Sequence, residues 1–354
     1  MTKSLALVSI TSLLLFTGCV DASAEGGPSA ETLVGIGASS QQVAMQTWIA
    51  GFQSANEEIT INYSPEGSGN GRKAFLSGGA DFAGSDRAFK LNDTENKAGN
   101  FDAKCAAGTT ALDLPLYISP IAVIYNVPGV TNLNLDAATA AGIFKGEIKN
   151  WQDPKIAQLN PGVELPDLRV SVVHRSDDSG TTHNFTDYLW QTSGGVWDSE
   201  PDGEWPHPYR AEAAKGTAGV ISAVKIGNGT IGYADAGQTT DMQVAKLGSK
   251  DKFYPPTAQA AAAIVENSPR NPGRAEYDLA IDLDRKADGY PVVLVSYLIV
   301  CQEYNDPKTG KLVKAFAQYA ASEGGQQAAA KRSGSAPLGP KLSKAIQDAI
   351  AKIK

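Results

Sequence analysis

The chain has 354 residues, 42% hydrophobic and 19% charged, enough for one large domain or two ordinary ones with real cores. Its formal net charge of −7 excludes a general nucleic-acid binder, which needs a basic face. Three Cys and three His are too few and too scattered for a structural zinc site, and past the N-terminus no apolar run approaches the roughly 20 residues that cross a bilayer.

In chain order, Lys3, the apolar run from Leu5 to Phe16 and the small residues after it read as a signal peptide over residues 1–18. The run ends in Thr17-Gly18-Cys19, which resembles the lipobox of bacterial lipoproteins: small residues admit the peptidase, and the Cys19 thiol takes the lipid. Phe16 stands where an aliphatic residue is usual, so an ordinary secretory signal is the alternative. Residues 19–30, small and polar, read as a flexible tether. An exported chain keeps Cys105 and Cys301, which in an oxidising compartment either pair as a disulfide or stay as two buried thiols.

From residue 31 the pattern alternates strand, glycine-rich loop and helix, which predicts an α/β fold. Thr32–Ile36 is a short buried strand, and Met45, Trp48, Ile49 and Phe52 form one apolar face of a helix. Ile59, Ile61 and Tyr63 alternate as a strand, with a short helix expected at Arg72–Ser77 and a strand at Asp81–Gly84. Two β-rich runs, Leu112–Val127 and Tyr290–Cys301, exceed the usual strand of five or six residues and can cross between domains. Between them come a strand at Leu168–His174, helices at Thr181–Trp190 and Gly216–Ile226, and a strand at Thr230–Tyr233. A last helix carries Leu342, Ile346, Ala349 and Ile353 on one stripe.

The segments Gly37-Ala-Ser-Ser40, Gly67-Ser-Gly-Asn-Gly71 and Ser179-Gly-Thr-Thr182 each precede a predicted helix. Amides at a helix N-terminus carry partial positive charge, hydroxyls add donors, and glycine lets the backbone come close, so together they suit a tetrahedral oxyanion. Alone, each is a helix cap and turn. Arg175 adds a planar fork for two oxygens, and Asp177 can hold it in place.

With Gly35–Ser39, Gly67-Ser-Gly69, Asp81–Asp86, Ile143–Trp151, His174–Thr182, Gly229–Tyr233 and Tyr297–Val300, nearly the whole mature chain resembles the phosphate-binding components of bacterial phosphate ABC transporters. The resemblance implies a two-lobe, type II periplasmic-binding-protein-like α/β fold, with the ligand in the interdomain cleft and two crossover strands as hinge. Residues 31–121 and 297–354 would form lobe I and residues 122–296 lobe II. It also places Ser39, Ser40, Ser68, Asp86, Arg175, Ser179, Gly180 and Thr181 on phosphate, with Asp177 supporting the arginine. Asp178 stands where that family often has glycine, and is expected to point to solvent. Cys105 and Cys301 would both fall on the first lobe, which favours the disulfide.

The resulting expectation is a monomeric, extracytoplasmic lipoprotein, anchored through Cys19, that captures inorganic phosphate and delivers it to an ABC permease without catalysis or cofactor. The alternatives are a secreted phosphatase and a binder of another tetrahedral oxyanion such as sulfate. Ser249-Lys-Asp-Lys252 and Lys308-Thr-Gly310 echo penicillin-binding motifs, but no Ser-Asp-Asn completes the set. His183 is expected on a helix surface, and His174 is expected to be structural.

Overall fold

In the computed structural model, which describes residues 31–354 apart from 93, 94, 98, 250, 251 and 288, strands and helices alternate from the first described residue. The leader, Cys19 and the tether lie outside the described residues. β1 (Glu31–Gly37) leads into α1 (Gln42–Gln53), which buries Met45, Trp48 and Phe52. β2 (Ile59–Ser64), α2 (Ser68–Leu76) and β3 (Phe82–Ser85) follow, and then the long β4 (Ala111–Asn126). Next come β5 (Asn134–Asp136), α3 (Ala137–Lys145), α4 (Pro154–Leu159), β6 (Ser171–Arg175) and α5 (Gly180–Thr192). β7 (Glu212–Ala214), α6 (Gly216–Ile226) and β8 (Thr230–Asp235) lead to the short strands β9 (Gln243–Val244), β10 (Lys246–Ser249) and β11 (Lys252–Tyr254). The chain ends with α7 (Ala258–Asn267), β12 (Val293–Cys301), α8 (Pro307–Ala321), α9 (Glu323–Ser333) and α10 (Pro340–Ala351).

The main sheet runs β2-β1-β3-β12-β4-β8-β6-β7, with β9 also on β4, while β11-β10-β5 form a small second sheet. β4 joins two halves because it changes partners along its length. Ala111–Pro120 pairs with β12, whereas Ile121–Asn126 pairs with β8. Where Pro115 has no amide to donate, the ladder bulges. At the partner change, the Ile121 amide donates to the Val292 carbonyl at 2.7 Å, and Tyr290 Oη donates to the Ile121 carbonyl at 2.6 Å. Two connections thus pass between the halves at one level, and the expected two-lobe α/β architecture is present. β4 is buried over nearly its whole length, which is why it reads as a continuous apolar run.

Three expectations are corrected. The expected strand Tyr290–Cys301 begins only at Val293, because Pro291 cannot join the ladder. Leu168–Val170 are not part of β6. They pair instead with the 149–151 segment, where the Trp151 amide donates to the Leu168 carbonyl and the Val170 amide to the Lys149 carbonyl, both at 2.9 Å. α2 starts at Ser68, four residues before the expected start at Arg72, so the glycine-rich segment is its first turn. A tertiary bond holds that turn: the Gly69 amide donates to the Asp178 carbonyl at 2.9 Å.

Cys105 and Cys301 are joined as a disulfide across 196 residues of sequence. Cys301 ends β12, and both sulfurs are buried.

Candidate functional site

The N-terminal ends of four helices meet in the cleft between the lobes. α1 is preceded by Ser39 and Ser40, and α2 opens on Ser68. From the second lobe, α5 opens on Gly180 after its cap Ser179, and α6 opens on Gly216 and Thr217. Backbone amides in a first helical turn have no carbonyl of their own helix to bond, so four such ends concentrate donors and positive potential in one place.

Asp86 sits at the centre, at the end of β3. Its Oδ1 accepts from Ser40 Oγ at 2.5 Å, and its Oδ2 accepts from Thr181 Oγ1 at 2.8 Å. Its amide donates to Ser68 Oγ at 3.1 Å, and its carbonyl accepts from Asn184 Nδ2 at 2.6 Å. Burial raises the Asp86 carboxyl above its ordinary range, against the pull of the Ser40, Ser296 and Thr181 hydroxyls and the Arg175 charge. α5 comes so close that a Cβ at Gly180 would lie 2.6 Å from Asp86 Cβ and 2.7 Å from Ser68 Oγ. Only glycine fits there.

Arg175 ends β6 and is buried, with Nε donating to Asp177 Oδ1 at 2.8 Å and Nη2 donating to Asp177 Oδ2. Burial works to raise the Asp177 carboxyl, but the Arg175 hydrogen bonds and charge outweigh it and hold it below its ordinary range. Asp177 Oδ1 also accepts from the Gly216 amide at 3.0 Å, which fixes α6 to the arginine. Ser179 caps α5 by accepting from the Thr182 amide at 3.2 Å.

All nine predicted site positions, Asp177 included, therefore lie in this one cleft. Ser39 enters it from the first lobe and meets Thr217, whose amide donates to Ser39 Oγ at 3.1 Å. Sequence reasoning missed Thr217, although Gly216-Thr217 carries the same glycine–hydroxyl signature at a helix start. It also missed Gln238, whose Nε2 donates to the carbonyls of Ser39 at 3.0 Å and Ser40 at 2.8 Å, and Asn184. Nothing in their local sequence sets those two apart.

Asp178 and His183 depart from expectation. Asp178 does not point to solvent: its carboxylate pairs with Arg72 Nη2 at 3.3 Å, across the cleft. His183 is half-buried rather than on an open helix surface, because α5 is covered on that side by the segments bearing Arg87 and Arg285. Burial and those cations push its imidazole down to about 4, so it is neutral at physiological pH. His174 stacks on Trp205 with ring centroids 5.0 Å apart, which fits a structural role.

A family model for the PBP superfamily domain matches residues 22–324. The phosphate-binding protein PstS 2 of Mycobacterium tuberculosis is 34% identical over 312 residues, covering 85% of this chain and 82% of that protein. PstS of Methanocaldococcus jannaschii is 32% identical over 349 residues, covering 90% of this chain and 87% of its own length. Among solved structures, the periplasmic phosphate-binding protein PfluDING bound with phosphate superposes with a TM-score of 0.70 at 23% identity, covering 90% of this chain and 93% of that one. The phosphate-binding protein of Stenotrophomonas maltophilia gives 0.68 at 21% identity, covering 90% and 94%. These last two likenesses establish the fold.

Proposed function

The chain belongs to the PBP superfamily and, within it, to the phosphate-binding PstS proteins, and from that membership we propose that it captures inorganic phosphate outside the cytoplasm and hands it to the permease of an ABC transporter. The observation that carries this reading is the setting of Asp86: a buried carboxylate ringed by hydroxyls, helix N-termini and the steadied Arg175. Ser39, Ser40, Ser68, Ser179, Gly180 and Thr181 supply amide and hydroxyl donors to the phosphate oxygens, and Arg175 supplies charge. Asp86 takes the hydrogen bond of a protonated phosphate oxygen.

The lobes are residues 31–121 with 297–354, and residues 122–296, and they close about the segments that meet near Ile121. The chain acts as a monomer, performs no catalysis and is held to the membrane by lipid on Cys19. Among the described residues no helix is long and apolar enough to cross a membrane.

A fluorescence titration tests the proposal. Trp205 stacks on Tyr233 at 6.0 Å, and Tyr233 Oη shares a 2.7 Å hydrogen bond with Thr182 Oγ1 on α5. Cleft occupancy should therefore change the Trp205 emission. Saturable change with phosphate and none with sulfate is the expected result. Saturation by sulfate alone would assign the cleft to another oxyanion, and release of product from a chromogenic phosphate ester would make the protein an enzyme.

A further inference from the structure

The segment from Arg175 to Thr181 carries two adjacent acids, and only one of them serves the arginine. Asp177 is spent on Arg175 and the Gly216 amide. Asp178 adds a second negative charge one residue before Ser179, beside a cleft built for an anion. Like charges a few ångströms apart repel, so this carboxylate opposes anion binding unless it is neutralised.

The neutralising group comes from the other lobe. Arg72, on α2, is 2% exposed and directs Nη2 to Asp178 Oδ1 at 3.3 Å and Oδ2 at 3.4 Å. Its Nη1 donates to Ser85 Oγ at 2.9 Å, and that hydroxyl donates to the Arg87 carbonyl at 2.6 Å, next to Asp86. The backbone follows the same route, with the Gly69 amide on the Asp178 carbonyl. The Asp178 carboxylate fills the space a side chain at position 69 would need. Of the other ion pairs between the lobes, Lys215–Glu66 at 2.6 Å and Lys90–Asp202 at 3.3 Å are solvent-exposed and contribute little, and Arg274–Asp113 at 3.2 Å is buried but does not touch the Arg175–Thr181 segment. Arg72–Asp178, with a buried arginine and a partly buried carboxylate, is the pair between the lobes that reaches this segment.

We propose that Arg72 is a positioning residue for the bound anion, neutralising Asp178 across the cleft and thereby seating Ser179–Thr181 over α2 when the lobes close. The inference rests on the phosphate reading and assigns a role to a residue outside the phosphate shell. Glu95 explains why Arg72 does not oppose opening. Its Oε1 lies 3.7 Å from Arg72 Nε, and its carboxylate is gripped by Arg87 at 2.7 and 2.6 Å, all within the first lobe. In an open protein Arg72 keeps Glu95 as a counterion, and Asp178 returns to water. Closure then brings Asp178 to an arginine already in place, so the pair favours the closed form without demanding a rearranged side chain.

Phosphate calorimetry on the full chain decides it with three proteins: wild type, Arg72→Met, and Arg72→Met with Asp178→Asn. Arg72→Met leaves Asp178 unneutralised, and its affinity should fall by at least about tenfold, as for a buried pair stripped of one partner. Removing the second charge should restore part of that loss, so the double variant falls between the other two. A purely structural arginine would show no such recovery. Should Arg72→Met fail to fold, Arg72→Gln replaces it with the same expected order. Affinity within about twofold of wild type in the single variant overturns the proposal, as does a double variant no tighter than the single. A wild type that gives no phosphate binding contradicts the phosphate reading itself, and with it this role.

Discussion

Thr181, at the start of α5, donates its hydroxyl to Asp86 Oδ2 at 2.8 Å, so a residue of the second lobe satisfies a carboxylate of the first. Ser40 serves the other oxygen at 2.5 Å from within the first lobe. Asp86 is thus oriented from both sides of the cleft. On the proposed reading, such a carboxylate in an anion site reads protons on the ligand and is not simply a repulsive neighbour.

Arg175→Ala should weaken phosphate binding by about 1.5–3 kcal/mol, the scale of a charge-assisted hydrogen bond. Asp177 would also lose its partner and remain as an uncompensated acid beside the ligand. The loss should persist at high salt, since a closed cleft is screened far less than a surface pair. Calorimetry at two ionic strengths checks this, and an unchanged affinity would take Arg175 out of the site.

Asp235 gives a pH dependence with a definite sign. It is fully buried at the end of β8 and accepts from Tyr117 Oη at 3.0 and 3.1 Å and from the Gly237 amide at 3.1 Å. Burial pushes its carboxyl up to about 8, and the Asp86 charge adds to the rise, against the hydrogen bonds of Ser119 and Tyr117. The unfolded chain releases this proton near pH 4, so the folded state holds the extra proton between about pH 4 and pH 8. Its stabilisation is complete below about pH 4 and is lost as pH rises through 8, by up to about 1.4 kcal/mol per pH unit. Asp235→Asn should flatten that slope, measured by denaturant unfolding between pH 5 and pH 8. Parallel profiles for the two proteins would contradict it.

The Cys105–Cys301 disulfide closes a loop of 196 residues and should contribute about 2–5 kcal/mol. Replacing both with serine should lower the denaturant midpoint accordingly while leaving phosphate affinity unaltered, because both residues sit on the first lobe away from Asp86. No loss of stability would contradict the first part, and loss of binding in a folded variant the second.

Cys19→Ser should move the protein from the membrane fraction to the soluble one. Continued membrane association after detergent-free fractionation would contradict the lipid anchor.

Local patterning was enough wherever a segment's own residues decide its structure. The periodic face of Met45, Trp48 and Phe52 predicts α1, and Gly216–Ile226 is a helix over the expected span. The apolar run of β4 was legible because burial on both faces leaves nothing polar to interrupt it. Apart from Pro291, which delays the start of β12, the misreadings concern tertiary contacts. Gly67–Gly71 looks like a loop by composition, yet from Ser68 on it is the first turn of α2, whose Gly69 amide is held by the Asp178 carbonyl across the cleft. Arg72 and Asp178 lie 106 residues apart, and nothing near either one announces the other. Gln238 ends a short 3-10 turn on the second lobe and reaches Ser39 and Ser40, nearly 200 positions away, through contacts that only the folded chain creates. The hydroxyl-rich helix starts were readable one by one; their convergence was not.

Competition calorimetry of wild type and Asp86→Asn, with phosphate and with sulfate, tests the central claim most directly. Near neutral pH phosphate keeps at least one proton and sulfate keeps none, so on the proposed reading one proton would lie between Asp86 and phosphate, while sulfate would meet the carboxylate lone pair to lone pair. Sites built around such a ligand hydrogen bond reject analogues lacking it by on the order of 10⁴ or more. The wild type should therefore bind phosphate with strong preference over sulfate, and Asp86→Asn, whose amide can donate to either anion, should narrow that preference. Tight sulfate binding by the wild type, or an unaltered phosphate-to-sulfate ratio in the variant, would contradict the account.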